Sequence, residues 1–293
     1  MNGILIVNKP AGYTSHDIVA KVKKICHEKV GHTGTLDPMA TGVLPLLIGE
    51  GTKLSGYLTQ HDKTYEAVIQ LGKQTDTADG EGKVIQEKEV NLQNLEIENV
   101  QKVLQSFLGK QTQKPPIYSA IKIHGKKLYE YARNNEKVEI PEKIIEIFHI
   151  ELVEINTNNQ TISFRVHCSK GTYIRTLCED ISKKLDTVGY MKHLKRIQVG
   201  GFSIKQAVSL EQIEKEKDNP KFWNQYFITF EKFFSDYPLM ILENRKFTLF
   251  LNGVLLKEDR EDGIYQVRDT SQRYYAIGTI ENGQLKRKIV LPN

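Results

Sequence analysis

The chain has 293 residues, of which 39% are hydrophobic and 26% charged, a balance that allows a sizeable folded core and excludes a disordered chain. No apolar run is long enough to span a bilayer, and Met1-Asn2-Gly3-Ile4-Leu5-Ile6-Val7 lacks the basic front and cleavage site of a secretory signal, so no membrane association is expected. The formal net charge of +5 permits nucleic-acid binding without demonstrating it. Cys26, Cys168 and Cys178 show no Cys-x-x-Cys spacing and read as reduced packing residues of a cytoplasmic protein, with neither a zinc site nor a disulfide scaffold.

The chain opens on a strand-like run, Ile4-Leu5-Ile6-Val7, stopped by Asn8-Lys9-Pro10-Ala11-Gly12. Ser15 is expected to cap a helix carrying Ile18, Val19, Val22, Ile25 and Cys26 on one face. Gly31-His32-Thr33-Gly34-Thr35-Leu36-Asp37-Pro38-Met39-Ala40-Thr41-Gly42 follows, with three glycines in twelve residues and a proline that keeps Asp37 out of the helical region. A lone carboxylate on such a loop either caps a turn or is presented as a nucleophile or base, and local composition alone favours the turn. Val43 to Gly49 reads as a buried strand, with Pro45 marking an edge or a bulge. A short helix is expected around Lys53 to Leu58.

Lys63 to Gly72 alternates so that Tyr65, Ala67, Ile69 and Leu71 share a face. Asp76 to Gly82 reads as an acidic turn; its likeness to the Asp-Thr-Gly of aspartic proteases fails because Ala78 replaces the glycine and no second copy exists. Asn94 to Leu108 is amphipathic and Gly109 is its expected stop. Charge is unevenly spread: residues 61–100 hold four basic and nine acidic groups, whereas 101–140 hold eight basic and three acidic. In the basic segment, Tyr118, Tyr129 and Tyr131 interleave with Lys122, Lys126, Lys127 and Arg133. Rings among cations suit a surface that grips an RNA backbone and stacks on bases, and an inward-packed helix face suits the pattern as well.

Ile144 to Ile155 and Thr161 to Cys168 read as paired strands across Asn156-Thr157-Asn158-Asn159. Ser169-Lys170-Gly171-Thr172-Tyr173-Ile174-Arg175-Thr176-Leu177 leads into a helix toward Leu185, and Tyr190 to Val199 is a strand ended by Gly200-Gly201. Glu211 to Asn219 is a helix or a linker. Tyr237-Pro238 opens a block of alternating strands, clearest at Gly263 to Val267 and Tyr274 to Ile280.

The string from Gly31 through Leu44 resembles the catalytic loop of the bacterial TruB family, tRNA pseudouridine synthases that act on the T-loop. Lys9-Pro10-x-Gly12-x-x-Ser15, the Ser169 to Thr176 string and the Pro115-Pro116-x-Tyr118-Ser119-Ala120 string match the same family in order. The resemblance covers most of residues 3–202 and implies an α+β fold: a mixed, mostly antiparallel central sheet flanked by helices. It implies a catalytic domain over 1–235, with an RNA clamp inserted at about 110–142, and a small PUA-like β module over 236–293.

Within that family Asp37 matches the catalytic aspartate and Arg175 the arginine that pairs with it. Tyr65 matches the tyrosine stacked under the target base, a candidate C5 base although a phenol is a poor one at pH 7. Tyr173 and Leu194 match the uracil pocket, and His32 the ring that enters the space a flipped nucleotide leaves, with a general base as its rival role. Lys122, Lys126, Lys127 and Arg133 would meet RNA phosphates. The reaction breaks the bond from ribose C1′ to N1, turns the uracil and rejoins it through C5. Substrate and product are isomers, so no cofactor or metal is expected. Asp37 could attack C1′, add to C6, or help remove the 2′-hydrogen to form a glycal. The expected partner is the T-arm of tRNA, met by a monomer that needs no protein partner.

Overall fold

The computed structural model describes residues 1–293 except Ala120, Asn135, Gln272, Arg273 and Asn293, so Ala120 of the 115–120 string lies outside the described residues. Eleven of the described strands form one mixed sheet. Its path runs Val208–Ser209, Gly3–Lys9, Thr41–Ile48, Gly189–Val199, Lys63–Leu71, Thr161–Cys168, Lys143–Asn156 and Gly109–Gln113. Its pairings are antiparallel except that Gly3–Lys9 runs parallel to Val208–Ser209, and Thr41–Ile48 parallel to Gly189–Val199. This is the mixed, mostly antiparallel sheet expected of an α+β protein.

The alternation in Lys63–Leu71 is realised residue by residue, the odd positions buried and the even ones partly exposed. On its buried face the helices Ile97–Gln105 and Ile174–Lys184 press Val100, Leu104, Leu177, Cys178 and Ile181 against Ile69, Ile150 and Phe164. The helix Ser15–Cys26 buries Ile18 and Val22 against Leu5, Leu44 and Leu46. Its cap differs from expectation. Thr14 takes the N-cap position in a reciprocal box with Asp17, which frees the Ser15 hydroxyl for another task.

Pro45 also departs from expectation, because it stands inside the sheet and pairs with Ile6. The Pro45 carbonyl accepts the Thr33 N–H at 3.2 Å, on the side away from Gly3–Lys9. The amide hydrogen that proline lacks would face the same side, so no ladder bond to Gly3–Lys9 is lost. The Lys53 to Leu58 turn is a 3-10 helix over Gly49–Leu54 continued by an α-turn over Ser55–Leu58.

The 211–219 segment is a helix, Leu210–Glu216, followed by an unforeseen one, Pro220–Tyr226, whose Phe222 is buried. The strand Phe227–Thr229 then pairs back onto Gly3, Ile4 and Leu5. The C-terminal module is a five-stranded sheet in the order Leu239–Leu242, Gly263–Asp269, Tyr274–Glu281, Gln284–Pro292, Leu256–Lys257. It also contains a helix, Asn244–Leu251, that the alternating pattern did not suggest; Phe247 and Phe250 fill its core. No helix among the described residues is long and apolar enough to cross a membrane.

Candidate active site

The loop from Thr33 to Ala40 joins the strand Val30–His32 to Thr41–Ile48 and is tied down along its length. Lys9 is fully buried, and its ammonium donates to the carbonyls of Pro10 (2.9 Å), Tyr13 (2.6 Å) and Pro38 (3.0 Å). Gly12 N–H also donates to the Pro38 carbonyl, at 3.0 Å, so the Lys-Pro turn holds the residue next to Asp37. The Ser15 hydroxyl accepts the Leu36 N–H at 2.9 Å and donates to the Leu36 carbonyl, fixing the residue on the other side. At the far end Gly42 takes φ +104°, and a Cβ there would lie 2.1 Å from the Arg196 carbonyl oxygen. Only glycine allows the strands to meet at that point.

Asp37 so held meets Arg175 side-on. Oδ2 lies 3.1 Å from Nε and Oδ1 accepts from Nη2 at 3.3 Å, although the residues are 138 positions apart. The Arg175 side chain is only 7% exposed and that of Asp37 32%, so the acid is the partner that faces solvent. The rest of the guanidinium is also engaged: Nη1 donates to the Thr77 carbonyl (3.2 Å) and lies 3.6 Å from the buried Asp79 Oδ2, and Nη2 donates to the Tyr118 carbonyl (3.0 Å). Burial raises the Asp37 pKa from its ordinary value; Arg175 opposes the shift, and the charge of Asp79 adds to it.

These groups open into a cavity of about 510 Å³ lined by Asp37, Tyr65, Tyr173, Arg175 and Leu194, together with Lys63, Lys170 and Arg196. Tyr65 is buried with its hydroxyl bonded to Arg196, and burial raises its pKa. Arg196 is buried too, donating through Nε to the Val43 carbonyl (2.7 Å) and through Nη2 to the Gly34 carbonyl (3.0 Å). Tyr173 is held by its backbone: its N–H donates to Gln113 Oε1 (2.8 Å) and its carbonyl accepts from Gln113 Nε2 (3.0 Å).

His32 does not line the cavity. It stands just ahead of the lining residues Thr33 and Gly34, half-buried, with the His16 ring edge-on at 5.3 Å. Its Nδ1 accepts the Gly34 N–H at 3.3 Å, and burial lowers its pKa to about 4, so the ring is neutral at physiological pH.

From the basic segment it is Tyr118, Ser119 and Tyr129 that reach the cavity; the four named cations do not. Lys122 is exposed on a two-stranded hairpin, and Lys126 is paired with Glu136 at 2.7 Å and lies over Tyr131. Lys127 and Arg133 both lie over the Tyr129 ring.

Three site residues escaped the sequence reading. Asp79 sits in the acidic turn over residues 76–82, where Ala78 at φ +60° turns the chain ahead of it. Lys63 and Arg196 carry a signal that was there to be read: each is a cation on the inward side of an alternating strand, level with Tyr65 and Leu194 respectively.

Residues 22–174 match the family model described as TruB family pseudouridylate synthase (N terminal domain), and residues 175–226 match that of the tRNA pseudouridylate synthase B C-terminal domain. The chain is 49% identical over 220 residues to the tRNA pseudouridine synthase B of Oceanobacillus iheyensis, covering 75% of this chain and 72% of that one. It is 40% identical over 293 residues to the protein of the same name from Clostridium kluyveri, covering 98% of each. A solved structure titled "Crystal Structure of a Cbf5-Nop10-Gar1 Complex" contains a chain of similar fold, with a TM-score of 0.69 at 23% identity over 99% of this chain and 84% of that one. The two family models, end to end over the residues that build the cavity, and relatives of this identity establish that the chain belongs to the TruB family of pseudouridylate synthases.

Proposed function

We propose that the protein isomerises the T-loop uridine of tRNA (position 55 in tRNA numbering) to pseudouridine, with Asp37 as its catalytic carboxylate. One observation carries the reading: Asp37 is clasped side-on by a buried arginine and turned toward a cavity walled by Tyr65, Tyr173 and Leu194. Each of the three routes to pseudouridine needs such a carboxylate. The Arg175 fork aims it, and Asp79 and the carbonyls of Thr77 and Tyr118 keep the fork from turning.

Tyr65 lies beneath the uracil. Its raised pKa keeps the phenol protonated near neutral pH, which supports stacking over proton removal. Tyr173 and Leu194 close the pocket around the base. His32, neutral and flat beside the cavity, fills the stack that the flipped uridine leaves, recovering part of the few kcal/mol that flipping costs. A pKa of about 4 makes it a weak base at pH 7.

The 110–142 insertion acts as the clamp, with Tyr118 and Tyr129 at the cavity and Lys122, Lys126, Lys127 and Arg133 toward the RNA backbone. We divide the chain at about residue 235, assign it to the cytoplasm, and read it as a monomer that works without a protein partner.

Unmodified tRNA transcript alone, labelled with tritium at uridine C5, tests the reading. Tritium release and one pseudouridine in the T-loop are expected. Binding without release would leave only a tRNA-folding role, and release that required a guide RNA or a protein partner would refute the stand-alone reading.

A further inference from the structure

Charge around the cavity is only partly balanced. Asp37 and Asp79 answer Arg175. Lys63, Arg196 and Lys170 line the same cavity, and among the described residues none of the three has a carboxylate within 4 Å; Asp37 is the one acid that lines it. Arg196 is held by two carbonyls and the Tyr65 hydroxyl, all neutral.

Lys63 is 8% exposed and shares the inward face of its strand with Tyr65. Its ammonium donates to the carbonyls of Thr59 (3.5 Å) and His61, which leaves one of its three N–H bonds for the cavity. Burying an ammonium without a counter-ion is costly, and a fold that keeps one at a substrate cavity is complete when the substrate brings the anion. Thr33, which lines the same cavity, adds a second, independent sign: its hydroxyl is buried and has no hydrogen-bond partner.

RNA's anion is the phosphate, and uracil carries none. We propose that Lys63, Arg196, Lys170 and the Thr33 hydroxyl form a phosphate seat for a linkage flanking the flipped uridine, with Lys63 making the direct contact. The seat and the carboxylate share one loop, because Thr33 and Gly34 line the cavity four and three residues before Asp37 and the Gly34 carbonyl accepts from Arg196. A phosphate docked there fixes the ribose between two anchored ends, which sets C1′ relative to Asp37. The inference rests on the uridine-isomerase reading and adds the subsite that places its substrate.

Titration supports it. Burial lowers the Lys63 pKa to about 8, helped by the positive charges of Arg196 and Lys170 and opposed by Cys168 and Asp62. A phosphate favours the ammonium, so affinity holds below pH 8 and falls above it as free Lys63 loses its proton.

The test uses T-arm stem-loop RNAs carrying one uncharged methylphosphonate linkage, either 5′ or 3′ of the target uridine, and initial rates of tritium release. One linkage is expected to raise the wild-type KM about tenfold. Lys63→Met should raise KM for ordinary RNA by a similar factor and be insensitive to that linkage, Lys63→Arg should restore most of the binding, and the wild-type rise in KM above pH 8 should vanish in Lys63→Met. Multiplying effects of linkage and substitution would overturn the proposal, as would a loss confined to kcat. Should Lys63→Met fail to fold, the wild-type linkage scan still decides. A wild-type enzyme that makes pseudouridine yet ignores both linkages ends the phosphate seat alone, whereas one that makes none ends the reading beneath it.

Discussion

Arg175→Met removes the guanidinium while keeping most of the volume, and leaves two carboxylates without their counter-charge. Breaking a buried pair by deleting one partner costs about 3–5 kcal/mol. Asp37 is 32% exposed and water relieves part of its loss, while Asp79 keeps the Thr77 hydroxyl (2.6 Å) and the Glu81 N–H (3.1 Å). The lower end, about 3 kcal/mol, is therefore expected in a denaturant titration. Arg175 holds the Asp37 pKa down against burial, so its removal lets that pKa rise and moves the acid limb of the pH–rate profile to higher pH. Raising the pH restores the ionised acid but not its aim. The alkaline plateau of kcat should stay about 100-fold below wild type. A variant with wild-type stability, or one whose rate recovers fully at high pH, would refute the view that Arg175 aims Asp37 as well as charging it.

Asp79→Asn removes a charge that raises the Asp37 pKa, so the acid limb should move to lower pH, with a stability loss of about 1–2 kcal/mol in the same titration. Gly42→Ala places a methyl 2.1 Å from the Arg196 carbonyl at a φ of +104°, and should cost at least about 3 kcal/mol or leave the protein insoluble on expression. His32 takes up a proton near pH 6.5 when unfolded but only near pH 4 when folded, so stability should fall as pH drops through that window; melting curves of His32→Gln should show a flatter fall.

What could be read beforehand followed from local rules. Alternation placed Tyr65 on the buried side of its strand, and Pro38 beside three glycines marked an irregular loop. The pairing of Asp37 with Arg175 spans 138 residues and no spacing rule reaches it; the family resemblance did. The rest was hidden by tertiary context. Lys63 and Arg196 stand in phase with Tyr65 and Leu194, but only the folded sheet brings that shared face to the cavity. Asp79 looked like a turn residue because what buries it, the helix carrying Arg175, lies about a hundred residues away. Ser15 offered a cap hydroxyl, but Thr14 was one residue better placed for the box with Asp17, and Ser15 went to the loop. Pro45 reads as an edge signal because proline lacks a donor, and it stands inside this sheet because its donor side faces a loop.

The chemistry proposed for Asp37 is what separates an enzyme from an RNA-binding loop with a turn residue. The direct measurement is single-turnover tritium release from C5-labelled T-arm RNA by Asp37→Asn, beside its affinity for the same RNA. No detectable release is expected, with affinity within a few-fold of wild type. Release at the wild-type rate would contradict that chemistry.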